Sequence, residues 1–181
     1  MIIAFDPGAS GAVASVLYDP KTNQSASLRN FALGNKIKTE KGKYKNVAVG
    51  IKEIHDHLNY LVHDTTHSGH VIFIEKIQMF HSDNDSPGKA FQMQKLHNHV
   101  SQLIGAMKIR QMNCIEVFPG TWQSQLRFKK LKSKTDRKNL YKTFAQEKFP
   151  SIKMNLNNAD AFCILEYGRI RSMFESQALF K

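Results

Sequence analysis

The sequence predicts an α/β fold built on a five-stranded mixed sheet flanked by helices. Three observations carry that prediction. Apolar runs of strand length open the chain, helical hydrophobic spacing first appears after position 47, and strand and helix patterns then alternate to the end. With 181 residues, 41% of them hydrophobic and 23% charged, the chain has the length of one ordinary domain, residues 1–181, and enough apolar material for a core. No repeat, low-complexity tract or linker divides it.

Ile2–Phe5 is a short apolar run stopped by the turn signal Asp6-Pro7-Gly8. Gly11–Leu17 is a second β-rich run, closed by Tyr18-Asp19-Pro20, so the two form a hairpin. A third strand is expected over Ser27–Leu33. Residues 34–46, with Lys36, Lys38, Lys41, Lys43 and Lys45, read as an exposed basic loop. From Val47, Ile51, Ile54, Leu58, Leu61 and Val62 fall on one helical face, which predicts a helix to about residue 64. Val71–Ile74 is continuously apolar, the signature of a strand buried on both faces, and it ends in Glu75.

Ser86-Pro87 is an N-cap and first-turn pair, and the helix behind it, 87–108, carries Met93, Leu96, Val100, Leu103, Ile104 and Met107 on one side. Ile115–Phe118 is the last strand, stopped by Pro119-Gly120, and Thr121 caps a short helix holding Trp122 and Leu126. Further helices are expected over 135–148 and from Asn157 through Ile170. The resulting order, β-β-β-α-β-α-β-α-α, is similar to that of the RNase H-like fold. Periodicity does not determine strand order, so the step to that fold is by analogy.

Charge narrows the partners. Twenty-six Lys and Arg against fifteen Asp and Glu leave +11, a surplus that favours a polyanion: nucleic acid first, an anionic membrane surface second. Cys114 and Cys163 sit in apolar runs without CxxC spacing, which argues against a disulfide framework and a zinc ribbon. No apolar run approaches bilayer length and no signal peptide opens the chain. The expected location is therefore inside the cell and soluble, as in the cytoplasm of a bacterium or of a phage- or virus-infected cell.

Three acids occupy unexpected positions. Asp6 directly follows the first apolar strand, Glu75 follows the most apolar strand, and Asp160 sits in the first turn of the last helix. A carboxylate at the end of a buried strand lies close to the core, where an unpaired charge is expensive. Several of them in one place repel unless a cation neutralises them, and oxygen-only ligands favour Mg²⁺ or Mn²⁺ over zinc. Each acid alone also has a local explanation. Asp6 would cap the Pro7-Gly8 turn, Glu75 would pair with Lys76, and Asp160 would complement the helix dipole.

The stretches that carry these acids resemble the RuvC-type Holliday-junction resolvases, particularly their phage and organellar branch. They are Ile3-Ala-Phe-Asp-Pro-Gly-Ala-Ser-Gly-Ala-Val13, Val71-Ile-Phe-Ile-Glu-Lys76, Val117-Phe-Pro-Gly-Thr-Trp122, Lys132-Ser-Lys134 and Asn157-Asn-Ala-Asp-Ala-Phe-Cys-Ile-Leu-Glu-Tyr-Gly-Arg169, in the family's order across almost the whole chain. The resemblance implies an RNase H-like fold, a homodimer that matches the two-fold symmetry of a junction, and Mg²⁺-dependent paired nicking of four-way DNA. It implies two metal ions per site in the family's manner, with Mn²⁺ as a substitute, and it makes Asp6, Glu75 and Asp160 metal-binding and catalytic acids. The family's fourth ligand, an acid or histidine three residues before the last acid, is here Asn157. Its amide oxygen can ligate without bringing charge, with Asn158 as a possible helper; capping the helix is the alternative role for Asn157.

For DNA contact the sequence offers the basic run Arg127, Lys129, Lys130, Lys132, Lys134, Arg137, Lys138 and Lys142, with Lys132 and Lys134 foremost. A solvated charged face is the plainer reading of such a run. Phe80, in the loop after Glu75, is a candidate for stacking on unpaired bases, or for packing on its own domain. The histidine pairs His55/His57 and His97/His99 have i,i+2 spacing, which does not bring two ligands to one helical face. The expected activity is hydrolysis of four-way DNA junctions to 5′-phosphate and 3′-hydroxyl ends. The rivals are an RNase H-like nuclease acting on RNA or hybrids and a junction-binding protein that does not cut.

Overall fold

A computed structural model describes residues 1–7, 11–18, 25–32, 34–38, 40, 43–48, 51–63, 70–77, 87–109 and 111–178. Five strands form one mixed sheet: β1 (Ile2–Asp6), β2 (Ala12–Tyr18), β3 (Ser25–Ala32), β6 (Val71–Glu75) and β7 (Asn113–Val117). Their order is β3-β2-β1-β6-β7. The β1–β2 and β2–β3 pairs are antiparallel, while β1–β6 and β6–β7 are parallel. Five helices accompany them: α1 (Ile51–His63), α2 (Pro87–Ile109), α3 (Pro119–Gln125), α4 (Lys134–Lys148) and α5 (Ala159–Ala178).

Strand alternation divides the core in two. Ile3, Phe5, Val13, Ile72 and Ile74 are buried with Ile54 and Leu58 of α1 and Val100, Leu103 and Met107 of α2. Ile2, Ala4, Ala12, Ala14, Val16 and Phe73 are buried on the other side, with Trp122 of α3, Tyr141 and Ala145 of α4 and the body of α5. Ile72, Phe73 and Ile74 are at most 1% exposed, as the unbroken apolar run requires of a strand covered on both faces. The close approach of α5 to the sheet depends on Gly168, where an added Cβ would stand 2.5 Å from Cδ2 of Phe73.

Three features differ from expectation for identifiable reasons. Residues 34–46 are not simply a loop: β4 (Gly34–Lys38) and β5 (Tyr44–Ala48) pair antiparallel as a separate two-stranded sheet. The lysine density masks an alternation in which Ile37 and Val47 share one face. Since Val47 lies in β5, α1 starts at Ile51. The short helix is entered from Phe118, with Pro119 in its first turn and no side-chain cap, so Thr121 is not its cap. Its far end is a Schellman turn, in which the Arg127 and Phe128 N–H groups donate to the Ser124 and Gln123 carbonyls and Arg127 takes a left-handed φ of 57°. Phe128 then packs edge-on against Trp122.

The start of α5 is set by a reciprocal pair. The Asn157 and Asn158 N–H groups donate to Oδ1 of Asn155, and the Asn155 N–H donates to Oδ1 of Asn158. That is the logic of a capping box with two asparagines, so Asn157 is not the cap itself. Ser133 caps α4, accepting the N–H of Asp136 at 3.3 Å.

Candidate active site

Alternation carries Asp6 and Glu75 to the same place. Asp6 continues the Ile2, Ala4 series of β1, and Glu75 continues the Val71, Phe73 series of β6, all directed toward the α5 side of the sheet. The two strands are parallel neighbours, with Phe5 opposite Ile74, so the two acids follow at adjacent strand ends. α5 packs on β1, β2 and β6, which brings Asp160, in its first turn and 7% exposed, to the same site.

The charges of these groups act on one another. Burial, then the charges of Asp160 and Glu75, hold the Asp6 carboxyl well above the usual carboxylate range, against a smaller pull from Lys138. Burial also pushes Glu75 up to about 7. The strongest opposing effect there is a hydrogen bond from the indole Nε1–H of Trp122, 3.1 Å from Oε1, followed by the attraction of Lys138.

Lys138 lies inside this group. Its Nζ is 2.5 Å from Oδ2 of Asp160. Burial works against the ammonium, but Asp160, Asp6 and Glu75 outweigh it and raise its pKa. Read from sequence as one more phosphate-binding lysine, it is half-buried and paired with Asp160. The signal was available: Lys138, Tyr141 and Ala145 are spaced i, i+3, i+7, and the latter two are buried. Trp122 was likewise missed as a site residue, and a lone tryptophan carries no periodic signal for its indole partner.

The remaining predicted residues divide cleanly. Arg127, Lys129, Lys130, Lys132, Lys134, Arg137 and Lys142 are exposed, on the α3–α4 connection and α4. Asn157 is exposed in the turn before α5, whereas Asp160 is buried and Asp6 and Glu75 are half-buried. Asn158 is buried, but its Oδ1 accepts from Asn155 and its amide donates to the Lys153 carbonyl, so it serves the cap. Phe80 lies outside the described residues.

The chemistry of the donors suits an oxygen-preferring divalent cation, since the acidic groups that act on one another here are carboxylates. Oδ1 of Asp160 is buried with no partner among the described residues, and the ammonium of Lys138 already supplies a cation to the group. As the side chains stand, no three His, Cys, Asp or Glu groups among the described residues lie close enough to grip one ion.

No protein-family model matches the sequence, and no curated protein does. Solved structures do match. RuvC of Thermus thermophilus superposes with a TM-score of 0.52 at 13% identity, covering 95% of each chain. The same organism's RuvC in complex with a Holliday junction substrate gives 0.55 at 11% identity, covering 95% of this chain and 94% of that one. The fold is that of RuvC. The five-stranded mixed sheet flanked by helices is thus the RNase H-like arrangement of RuvC. At this identity the likeness to RuvC extends to architecture. No helix among the described residues is long and apolar enough to cross a membrane.

Proposed function

We propose that this protein is a metal-dependent endonuclease that resolves four-way DNA junctions by paired hydrolysis. The observation that carries the reading is the approach of Asp6, Glu75 and Asp160, drawn from three distant stretches of chain, to one another on a RuvC fold. The second structural neighbour is RuvC bound to a Holliday junction, which supports branched DNA as the substrate here.

In this reading Asp6, Glu75 and Asp160 hold Mg²⁺, two ions when fully loaded, and Mn²⁺ substitutes. When bound, the ions supply charge neutralisation at the phosphate and ease ionisation of the attacking water. The chain's own groups set the conditions. The pKa values of Asp6 and Glu75 are raised, that of Glu75 to about 7, so loading would release protons and affinity would rise with pH. Trp122 fixes the Glu75 carboxylate, and Lys138 keeps an ammonium beside the reacting phosphate. Water attacks phosphorus, the P–O3′ bond breaks and O3′ takes up a proton, leaving 5′-phosphate and 3′-hydroxyl ends.

Lys129, Lys130, Lys132, Lys134 and Arg137, all exposed, lie just before Lys138 in sequence and are assigned to the DNA backbone. Each contact should contribute about 0.9 to the slope of log affinity against log salt. Phe80 is assigned to stacking at the opened crossover, and Asn157 to a weak, uncharged fourth ligand position. A homodimer would present two such sites to a junction of matching two-fold symmetry.

A second reading, a junction-binding protein that does not cut, is favoured by the ammonium already paired with Asp160 and by the neutral Asn157. The test is cleavage of a labelled four-way junction in Mg²⁺ beside a linear duplex and an RNA–DNA hybrid, for wild type and Asp6→Asn. Symmetric nicks on the junction alone, lost in the variant, are expected. Tight binding without cutting in Mg²⁺ or Mn²⁺ would support the second reading, and preferential cutting of the hybrid would make the protein an RNase.

A further inference from the structure

The β4–β5 ribbon is a sheet separate from the main one. Its register sorts its residues in a way the sequence alone conceals. Lys36 is opposite Asn46 and Lys38 is opposite Tyr44, so these four share one face. Asn35 is opposite Val47 and Ile37 is opposite Lys45 on the other face, which therefore receives both branched aliphatics. By register this face takes Lys36, Lys38, Tyr44 and Asn46, with Gly34 and Ala48 paired at its end and neither branched aliphatic. The connection between the strands adds Lys41 and Lys43 against one acid, Glu40, and both Glu40 and Lys43 are exposed.

We infer that this ribbon is a second nucleic-acid-binding element, whose Lys36–Lys38–Tyr44–Asn46 face lies against the backbone of a duplex arm. The inference rests on the nucleic-acid reading of the acid site and adds a surface to it. Charge complementarity selects the partner. Lysines one pleat repeat apart, about 6.8 Å along the strand, suit successive contacts with a phosphate backbone. A two-stranded ribbon is narrow enough to enter a B-form major groove about 12 Å wide. An anionic membrane is the poorer fit, because interfacial binding needs a broad apolar face, and register gives the opposite face only Ile37 and Val47 beside Asn35 and Lys45.

The test uses the full chain and a fluorescent four-way junction, with binding measured by anisotropy between 50 and 200 mM salt. Lys36→Thr/Lys38→Thr keeps strand-compatible residues while removing both charges. The slope of log affinity against log salt should become shallower by about 1.8, so that wild type loses roughly tenfold more affinity than the variant over that range. Lys36→Arg/Lys38→Arg should restore the wild-type slope. An unchanged slope in the Thr variant overturns the proposal, as does a slope the Arg variant fails to restore. Binding to phosphatidylserine vesicles that falls in the Thr variant while junction binding does not would also overturn it, in favour of a membrane. Wild type that binds without cutting leaves the ribbon standing and removes only the nuclease reading; wild type that binds no DNA removes both.

Discussion

The Lys138 ammonium lies 2.5 Å from Oδ2 of Asp160, across 22 residues of sequence, while Oδ1 of the same carboxylate is buried without a partner among the described residues. One oxygen is thus committed to an internal cation and the other is available to an external one. The pair couples α4 to α5 at the point where the two strand-end acids arrive.

Lys138→Met should therefore reveal how much the ammonium offsets the repulsion between carboxylates. Removing one partner of a largely buried pair leaves an uncompensated charge, and the metal-free protein is expected to lose about 2–3 kcal/mol in urea unfolding. In saturating Mg²⁺ the loss should shrink, because the metal takes over the neutralisation. Equal losses with and without Mg²⁺ would show that ammonium and metal do not share the site.

Glu75 gives the metal-free protein a defined pH dependence. Its carboxyl ionises at about 7 when folded, against an ordinary value of 4.5. Between those values the folded state holds the extra proton, so this contribution is fully present below 4.5 and is lost as pH rises through 7. The stability of wild type relative to Glu75→Gln should fall by up to about 3 kcal/mol across that window. Trp122 is the single tryptophan and donates to Glu75, so its fluorescence should titrate with a midpoint near 7 in wild type and stay flat in Glu75→Gln. A wild-type emission that does not move with pH would remove Glu75 as the titrating group.

Gly168 tests the seating of α5. A methyl group there meets the Phe73 ring at 2.5 and 2.6 Å, so Gly168→Ala must displace the helix or the ring. A stability loss of about 1–3 kcal/mol is expected, as for other overpacked cores. Because α5 also carries Asp160, nuclease activity should fall more than the folded fraction does. Unaltered activity at full folding would show that the acid tolerates movement of its helix.

Arg127 separates stability from binding. It holds φ at 57° in the turn that closes α3, a conformation unfavourable for a residue with a Cβ. Arg127→Gly should raise stability by about 0.5–1 kcal/mol. If the exposed guanidinium reaches a phosphate, the same change lowers the salt slope of DNA binding by about 0.9. A melting temperature that rises with no change in slope would take Arg127 out of the DNA surface.

Much of this molecule is legible from local pattern. Ile2–Phe5 and Val71–Ile74 are apolar because neighbours cover them, and an acid ending each run marks the place where strand leaves core. Those signals need only a few adjacent residues, so the sequence by itself determined the order of the main-sheet strands along the chain and singled out the three acids and the basic run. Sequence density misleads where one property swamps another, as in residues 34–46, where lysines obscure the alternation of a real ribbon.

What the tertiary structure alone decided are the contacts made over long separations. Trp122 reaches Glu75 across 47 residues and Lys138 reaches Asp160 across 22. Periodicity reports which face of an element is buried, but it does not say which buried face meets which. The strand order β3-β2-β1-β6-β7 sets Asp6 beside Glu75, and the packing of α4 and α5 then brings one ammonium among three carboxylates. A lysine on a basic helix becomes a counter-ion because of where that helix docks, and no property of the residues around it in sequence carries that information.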